Sequence, residues 1–174
     1  MRSFPSCNQT LKNAMILNEV KAYGLEGEIY MSRTAYIKLV PASNKQEISL
    51  DELKELFNYY KEITTKTGEQ LHWDYENSAF PYEIKEKEEA DHKWFYLKGT
   101  SDRYNYILLG IGSEEVKDED GTTREQNFIQ VALPETALFG DKNKAVEFAK
   151  FLGRKLNGEL HLFNGRIMYF YDKK

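Results

Sequence analysis

The feature that most constrains the fold is a pattern that occurs twice. Tyr36-Ile37-Lys38-Leu39-Val40-Pro41 reads as a strand stopped by proline, which cannot donate to a ladder. A short polar loop, an amphipathic helix and Gly68-Glu69-Gln70-Leu71-His72-Trp73 follow. Ile129-Gln130-Val131-Ala132-Leu133-Pro134 opens the same order again, and Gly158-Glu159-Leu160-His161-Leu162-Phe163 closes it. A chain that alternates in this way, with further strands between, buries its apolar faces by laying helices on a sheet. The expectation is an α+β domain: a mainly antiparallel sheet with two amphipathic helices packed on one side. The likeness of the two units reads either as an internal strand–helix–strand repeat or as the recurrence of common caps and turns.

Local signals fill in the frame. Ser49-Leu50-Asp51-Glu52 carries a capping box, in which a serine oxygen and a glutamate reach towards each other's backbone N–H. Leu50, Leu53, Leu56, Phe57, Tyr60 and Ile63 then repeat at helical spacing. Gly68, after a β-branched stretch, suits a left-handed C-cap. Residues 71–75 read as a short strand, followed by strands over Tyr82 to Lys87, Trp94 to Lys98 and Tyr104 to Gly112. The last is apolar on both faces and so central. Gly110-Ile111-Gly112-Ser113 reads as its end. It lacks the Walker lysine and the third glycine of a dinucleotide fingerprint, and acidic residues follow at once. Glu114 to Arg124 reads as an acidic turn around Asp120-Gly121, and Phe128 to Leu133 as the returning strand. Asp141 is placed as the cap of a second helix with Ala145, Phe148, Ala149, Leu152 and Leu156 on one face, ended at Asn157-Gly158. Asn164-Gly165 between two strand-like runs predicts a type I′ hairpin.

The 174 residues suit one domain, read here over residues 31–174. Residues 1–30 lack strand alternation and are read as an extension outside it. They are either a poorly ordered arm or a mis-assigned start, since Glu26-Gly27-Glu28 can be encoded by a purine-rich ribosome-binding sequence ahead of Met31. The net charge of −4 argues against general nucleic-acid binding, which needs a basic footprint. The single cysteine, Cys7, rules out an intramolecular disulfide framework and a cysteine-rich zinc site. No apolar run approaches the roughly 18–20 residues of a membrane span. A reducing cytoplasm is the expected location and no cofactor is expected.

Three groups of residues are candidates for function. His72, Asp74 and Glu76 share one face if residues 71–76 are extended, an imidazole and two carboxylates as a divalent metal would use. Ligands spread along one strand at roughly 7 Å steps do not converge on one ion without a bend, so a solvated polar face is the favoured reading and no metal is expected. His161 stands alone in the closing hairpin, which suits a hydrogen-bonded structural residue better than a catalytic one, and His92 lies in a charged turn. Lys150, Arg154, Lys155 and Arg166 form the one basic concentration, a surface for an acidic partner or RNA against the default of a solvated helix face. The tyrosines Tyr59, Tyr60, Tyr75, Tyr82, Tyr104, Tyr106, Tyr169 and Tyr171 are the third group. A sheet can pack helices with one face and show aromatics on the other, and exposed rings favour interfaces.

Ala35-Tyr36-Ile37-Lys38-Leu39-Val40-Pro41, Tyr59-Tyr60-Lys61-Glu62-Ile63, Thr67-Gly68-Glu69-Gln70-Leu71, Trp73-Asp74-Tyr75-Glu76 and Leu160-His161-Leu162-Phe163-Asn164-Gly165-Arg166 resemble a small Firmicutes family known only as domain of unknown function 1885. The resemblance spans about Met31 to Lys174. It implies a bacterial cytoplasmic protein and transfers no catalytic role. The function expected from all of this is binding: a non-catalytic protein that self-associates or docks a protein partner through its aromatic sheet face or basic second helix. A small metal-dependent hydrolase using His72, Asp74 and Glu76, with His161, is the alternative, and weak RNA binding a third reading.

Overall fold

The computed structural model describes residues 31–70, 79–86 and 93–172. Seven strands form one sheet in the order β2-β3-β4-β5-β1-β6-β7. They are β1 (Met31–Lys38), β2 (Tyr82–Lys85), β3 (Trp94–Gly99), β4 (Tyr106–Lys117), β5 (Thr123–Pro134), β6 (Glu159–His161) and β7 (Ile167–Tyr169). Every neighbouring pair is antiparallel. Among the described residues two long helices, α1 (Leu50–Gln70) and α2 (Phe139–Leu156), accompany the sheet. The expected α+β class is the observed one. The strand proposed at 71–75 lies outside the described residues.

Both helices connect parallel strands across one face of the sheet. β5 and β6 flank β1 and run parallel to each other, with α2 as the crossover. β1 and β2 also run parallel, but three strands stand between them and α1 lies in that longer connection. The two sequence units differ at their closing segments: Glu159–His161 forms β6, whereas Gly68 to Gln70 is the end of α1.

The capping box forms at α1: Ser49 N–H donates to Glu52 Oε2 at 2.9 Å, and Glu52 N–H to Ser49 Oγ at 3.1 Å. These bonds hold the Glu52 carboxyl below the usual carboxylate range, the backbone bond from Ser49 first and then Lys45. α1 runs on through Gly68 instead of ending there. The β-branched stretch is helix-compatible because Thr64, Thr65 and Thr67 turn their hydroxyls back onto the carbonyls of Tyr60, Lys61 and Ile63. Leu50, Leu53, Phe57 and Tyr60 of α1 meet Ala145, Phe148, Ala149, Leu152 and Leu156 of α2 over Ala35, Ile37, Phe95, Leu97, Ile107, Leu109, Ile129, Val131 and Leu160 of the sheet. Phe57 and Phe148 sit edge-on at 5.5 Å, and each is fully buried. Burial of a ring of this size stabilises by about 1.5–3 kcal/mol.

Three further expectations are corrected. Asp141 does not occupy the N-cap of α2. Leu138 does, and Asp141, in the first turn, reaches back to its N–H at 2.9 Å. The same buried carboxylate accepts the Tyr82 hydroxyl at 2.5 Å and the Asn105 N–H at 2.9 and 3.0 Å, tying β2 and the β3–β4 loop to the helix start. Burial, and then Asp141, push the Tyr82 hydroxyl pKa far up. Gly110 to Ser113 is not a strand end: β4 continues to Lys117 and pairs with β5 down to Thr123, so the acidic turn narrows to residues 118–122. The closing hairpin is not type I′, because only Gly165 has positive φ, at 86°, and Asn164 does not. Gly165 N–H donates to Leu162 O, and Leu162 N–H to Arg166 O, the pattern of a three-residue loop with a left-handed glycine bulge.

Candidate functional site: the sheet face turned away from the helices

Alternation along the strands sends a second set of side chains to the opposite face. β3 contributes Trp94, Tyr96 and Lys98, and β4 contributes Tyr106, Leu108, Gly110, Gly112 and Glu114. From β5 come Phe128, Gln130 and Ala132, from β1 Tyr36 and Lys38, and from β6 Glu159 and His161. No described helix contributes to the apolar cluster here, which is Trp94, Leu108 and Ala132 with Tyr96 and Tyr106 packed against it.

One half of this face is aromatic. The Trp94 and Tyr96 rings lie 6.4 Å apart, Tyr96 and Tyr106 meet edge-on at 5.9 Å, and Tyr36 and Phe128 do so at 5.4 Å. Phe128 lies so close over Gly112 that a Cβ there would come within 2.8 Å of the ring. Tyr36, Tyr96 and Tyr106 are half-buried, whereas Trp94 retains 2% of its exposure. The buried Trp94 Nε1–H finds no acceptor among the described residues. A buried donor left without a partner costs about 1–3 kcal/mol.

The other half is polar. Lys38 Nζ pairs with the nearly buried Glu114 carboxylate at 2.9 Å. Next to Lys38, Glu159 takes His161 Nε2 at 2.7 Å on one oxygen and the Tyr171 hydroxyl at 2.8 Å on the other. Burial pushes the Glu159 carboxyl up, but the bonds from Tyr171 and His161, with Lys38 nearby, outweigh it and hold the group below its ordinary range. Burial and the Glu159 carboxylate push Tyr171 up to about 12. His161 is thus engaged by an acid two residues away, and both its neighbours Leu160 and Leu162 pack into the core cluster.

The remaining candidates separate in space. His72, Asp74, Glu76, Tyr75 and His92 lie outside the described residues. Among the described residues no group of three or more His, Cys, Asp or Glu side chains could hold a metal ion, and no helix is long and apolar enough to cross a membrane. On α2, Lys150 is half-buried, the Arg154 guanidinium lies 5.7 Å over the Phe170 ring, and Lys155 Nζ lies 4.2 Å over Tyr59 on α1. Arg166 stands exposed in the β6–β7 turn. Tyr60 and Tyr82 belong to the core, while Tyr106 reaches the second face together with two tyrosines that the sequence reading does not single out, Tyr96 beside it and Tyr36 against Phe128.

The chain belongs to the family DUF1885, a domain of unknown function, whose model matches residues 33–172. One similar solved structure is a protein of unknown function from Bacillus stearothermophilus, 38% identical, with 75% of this chain and 94% of that chain covered and a TM-score of 0.45. Among curated proteins there is no match.

Proposed function

We propose that this is a non-catalytic binding protein of the bacterial cytoplasm that docks a protein partner on the aromatic half of the second sheet face. The observation that carries the reading is the set of half-exposed rings, Tyr96 and Tyr106 packed against Leu108 with Tyr36 further along, on a face to whose apolar cluster no described helix contributes. Rings of this kind bury large area with few rotatable bonds, and tyrosine and tryptophan dominate interface energetics for that reason. The basic helix gives less support, since Arg154 and Lys155 lean over different rings, Phe170 and Tyr59.

The test is capture from a bacterial lysate by the full chain and by a Tyr96→Asp/Tyr106→Asp variant, with a Lys150→Glu/Arg154→Glu variant alongside. The reading predicts a specific partner that the tyrosine variant loses and the charge-reversed helix keeps. Loss only in the helix variant, or an identical set of proteins on all three, contradicts it. Matching thermal melts of the variants guard against simple unfolding.

A further inference from the structure

The β4–β5 hairpin outruns its neighbours. β3 reaches only as far as Gly110 on one side, with Ile111 N–H donating to Lys93 O, and β1 reaches only Phe128 on the other, with Leu39 N–H donating to Asn127 O. Beyond these points, among the described strands, Ser113 to Lys117 pairs only with Thr123 to Asn127 of β5. In an antiparallel ladder alternate residues point their backbone groups to opposite sides. Ile111 faces β3, so Ser113, Glu115 and Lys117 turn their N–H and C=O groups the same way, where no described strand lies beside them. A cleft of about 480 Å³ lined by Glu47, Lys93 and Ser113 opens at the start of this edge.

We infer that this edge of β4 pairs with the same edge of a second copy of this chain, antiparallel and centred on Val116. The register follows from the charges. A two-fold axis at Val116 sets Glu115 opposite Lys117 of the partner and Lys117 opposite Glu115 of the partner, with the two Val116 side chains meeting on the other face. Glu115 and Lys117 are also the residues whose backbone groups point outward, so the same register closes four backbone hydrogen bonds in two exchanged pairs. It relieves a local conflict as well. Within the hairpin Glu115 lies directly across from Glu125, and like charges so placed are unfavourable, whereas opposite charges across strands are favourable. Neither Glu115 nor Lys117 makes an ion pair among the described residues, and both are exposed. The pairing is isologous, as a closed two-fold dimer requires, and places the partner's body beyond the hairpin tip. It uses a different surface from the aromatic face and stands or falls separately.

Sedimentation equilibrium of the full chain, from micromolar to millimolar protein, tests the proposal. The expected result is a monomer–dimer equilibrium that weakens at high salt, since exposed ion pairs are screened. Lys117→Glu and Glu115→Lys each weaken association at least about tenfold by setting like charges across the axis, and the Glu115→Lys/Lys117→Glu double exchange restores it. Tyr96→Asp/Tyr106→Asp leaves the equilibrium unchanged. A monomer at every concentration overturns the proposal, and so does a dimer that both single reversals leave intact or that the double exchange fails to restore.

Discussion

The two faces of one sheet are built from similar residues and arranged differently. On the helix side Phe57, Phe80, Phe148 and Tyr82 meet one another edge-on or tilted, and each is buried in one cluster with aliphatics from both helices and the sheet. On the other side Tyr96 and Tyr106 lean across a small cluster, Tyr36 leans on Phe128, and all three stay half-exposed. Rings packed from all sides hold a fold together. Rings left half-covered contribute less to stability and leave area for a partner.

That contrast can be broken first where it is strongest. Phe148→Ala removes a ring that touches Phe57, Tyr60, Phe80 and Tyr82, and should cost about 3–5 kcal/mol in a denaturant titration. Next comes the carboxylate that ties the helix layer to the sheet. Asp141→Asn leaves the Tyr82 hydroxyl and the Asn105 and Leu138 N–H groups with a weaker acceptor that also presents its own donors, and should cost about 1.5–3 kcal/mol by the same titration. A loss well below 1 kcal/mol would mean that the tie is not what seats α2.

A smaller effect on the second face is read through pH. Glu159 titrates below its ordinary value, so its contribution is present above the free carboxyl's pKa of about 4.3 and is lost as pH falls through the lower folded value. Tyr171 is pushed up to about 12, so its contribution is complete below the free phenol's pKa of about 10 and is lost as pH rises through about 12. Tyr171→Phe should therefore flatten the acid limb of stability against pH and shorten the alkaline limb, with Tyr82 still supplying part of the latter. Superimposable curves for the two proteins would show that the Glu159–Tyr171 bond does not form in solution.

The sequence carried the local half of this structure. The Ser49–Glu52 box, the inward spacing of both helices and the Asn157 stop, at φ 50°, depend on neighbours a few residues away and are written in the chain as short patterns. The strand order depends on distant pairings. Nothing near Lys38 says that β5 lies on one side of β1 and β6 on the other. Gly112 looked like an ending because glycine weakens strands, yet here it makes room for Phe128. Asp141 looked like a cap because the residue that takes the cap position is a leucine, which no capping preference anticipates. The site was legible only as a surplus of tyrosines. Which of them face outward follows from registers such as Tyr96 opposite Leu108, and the polar row of Lys38, Glu159 and His161 appears only when β1 and β6 are laid side by side.

The most direct measurement sets one ring from each face against the other: the denaturant midpoints of Tyr106→Ala and Phe148→Ala, each against the parent protein. If the two faces divide stability and recognition between them, the tyrosine costs less than half of what the phenylalanine does. Equal losses would make the second face another core and contradict the account.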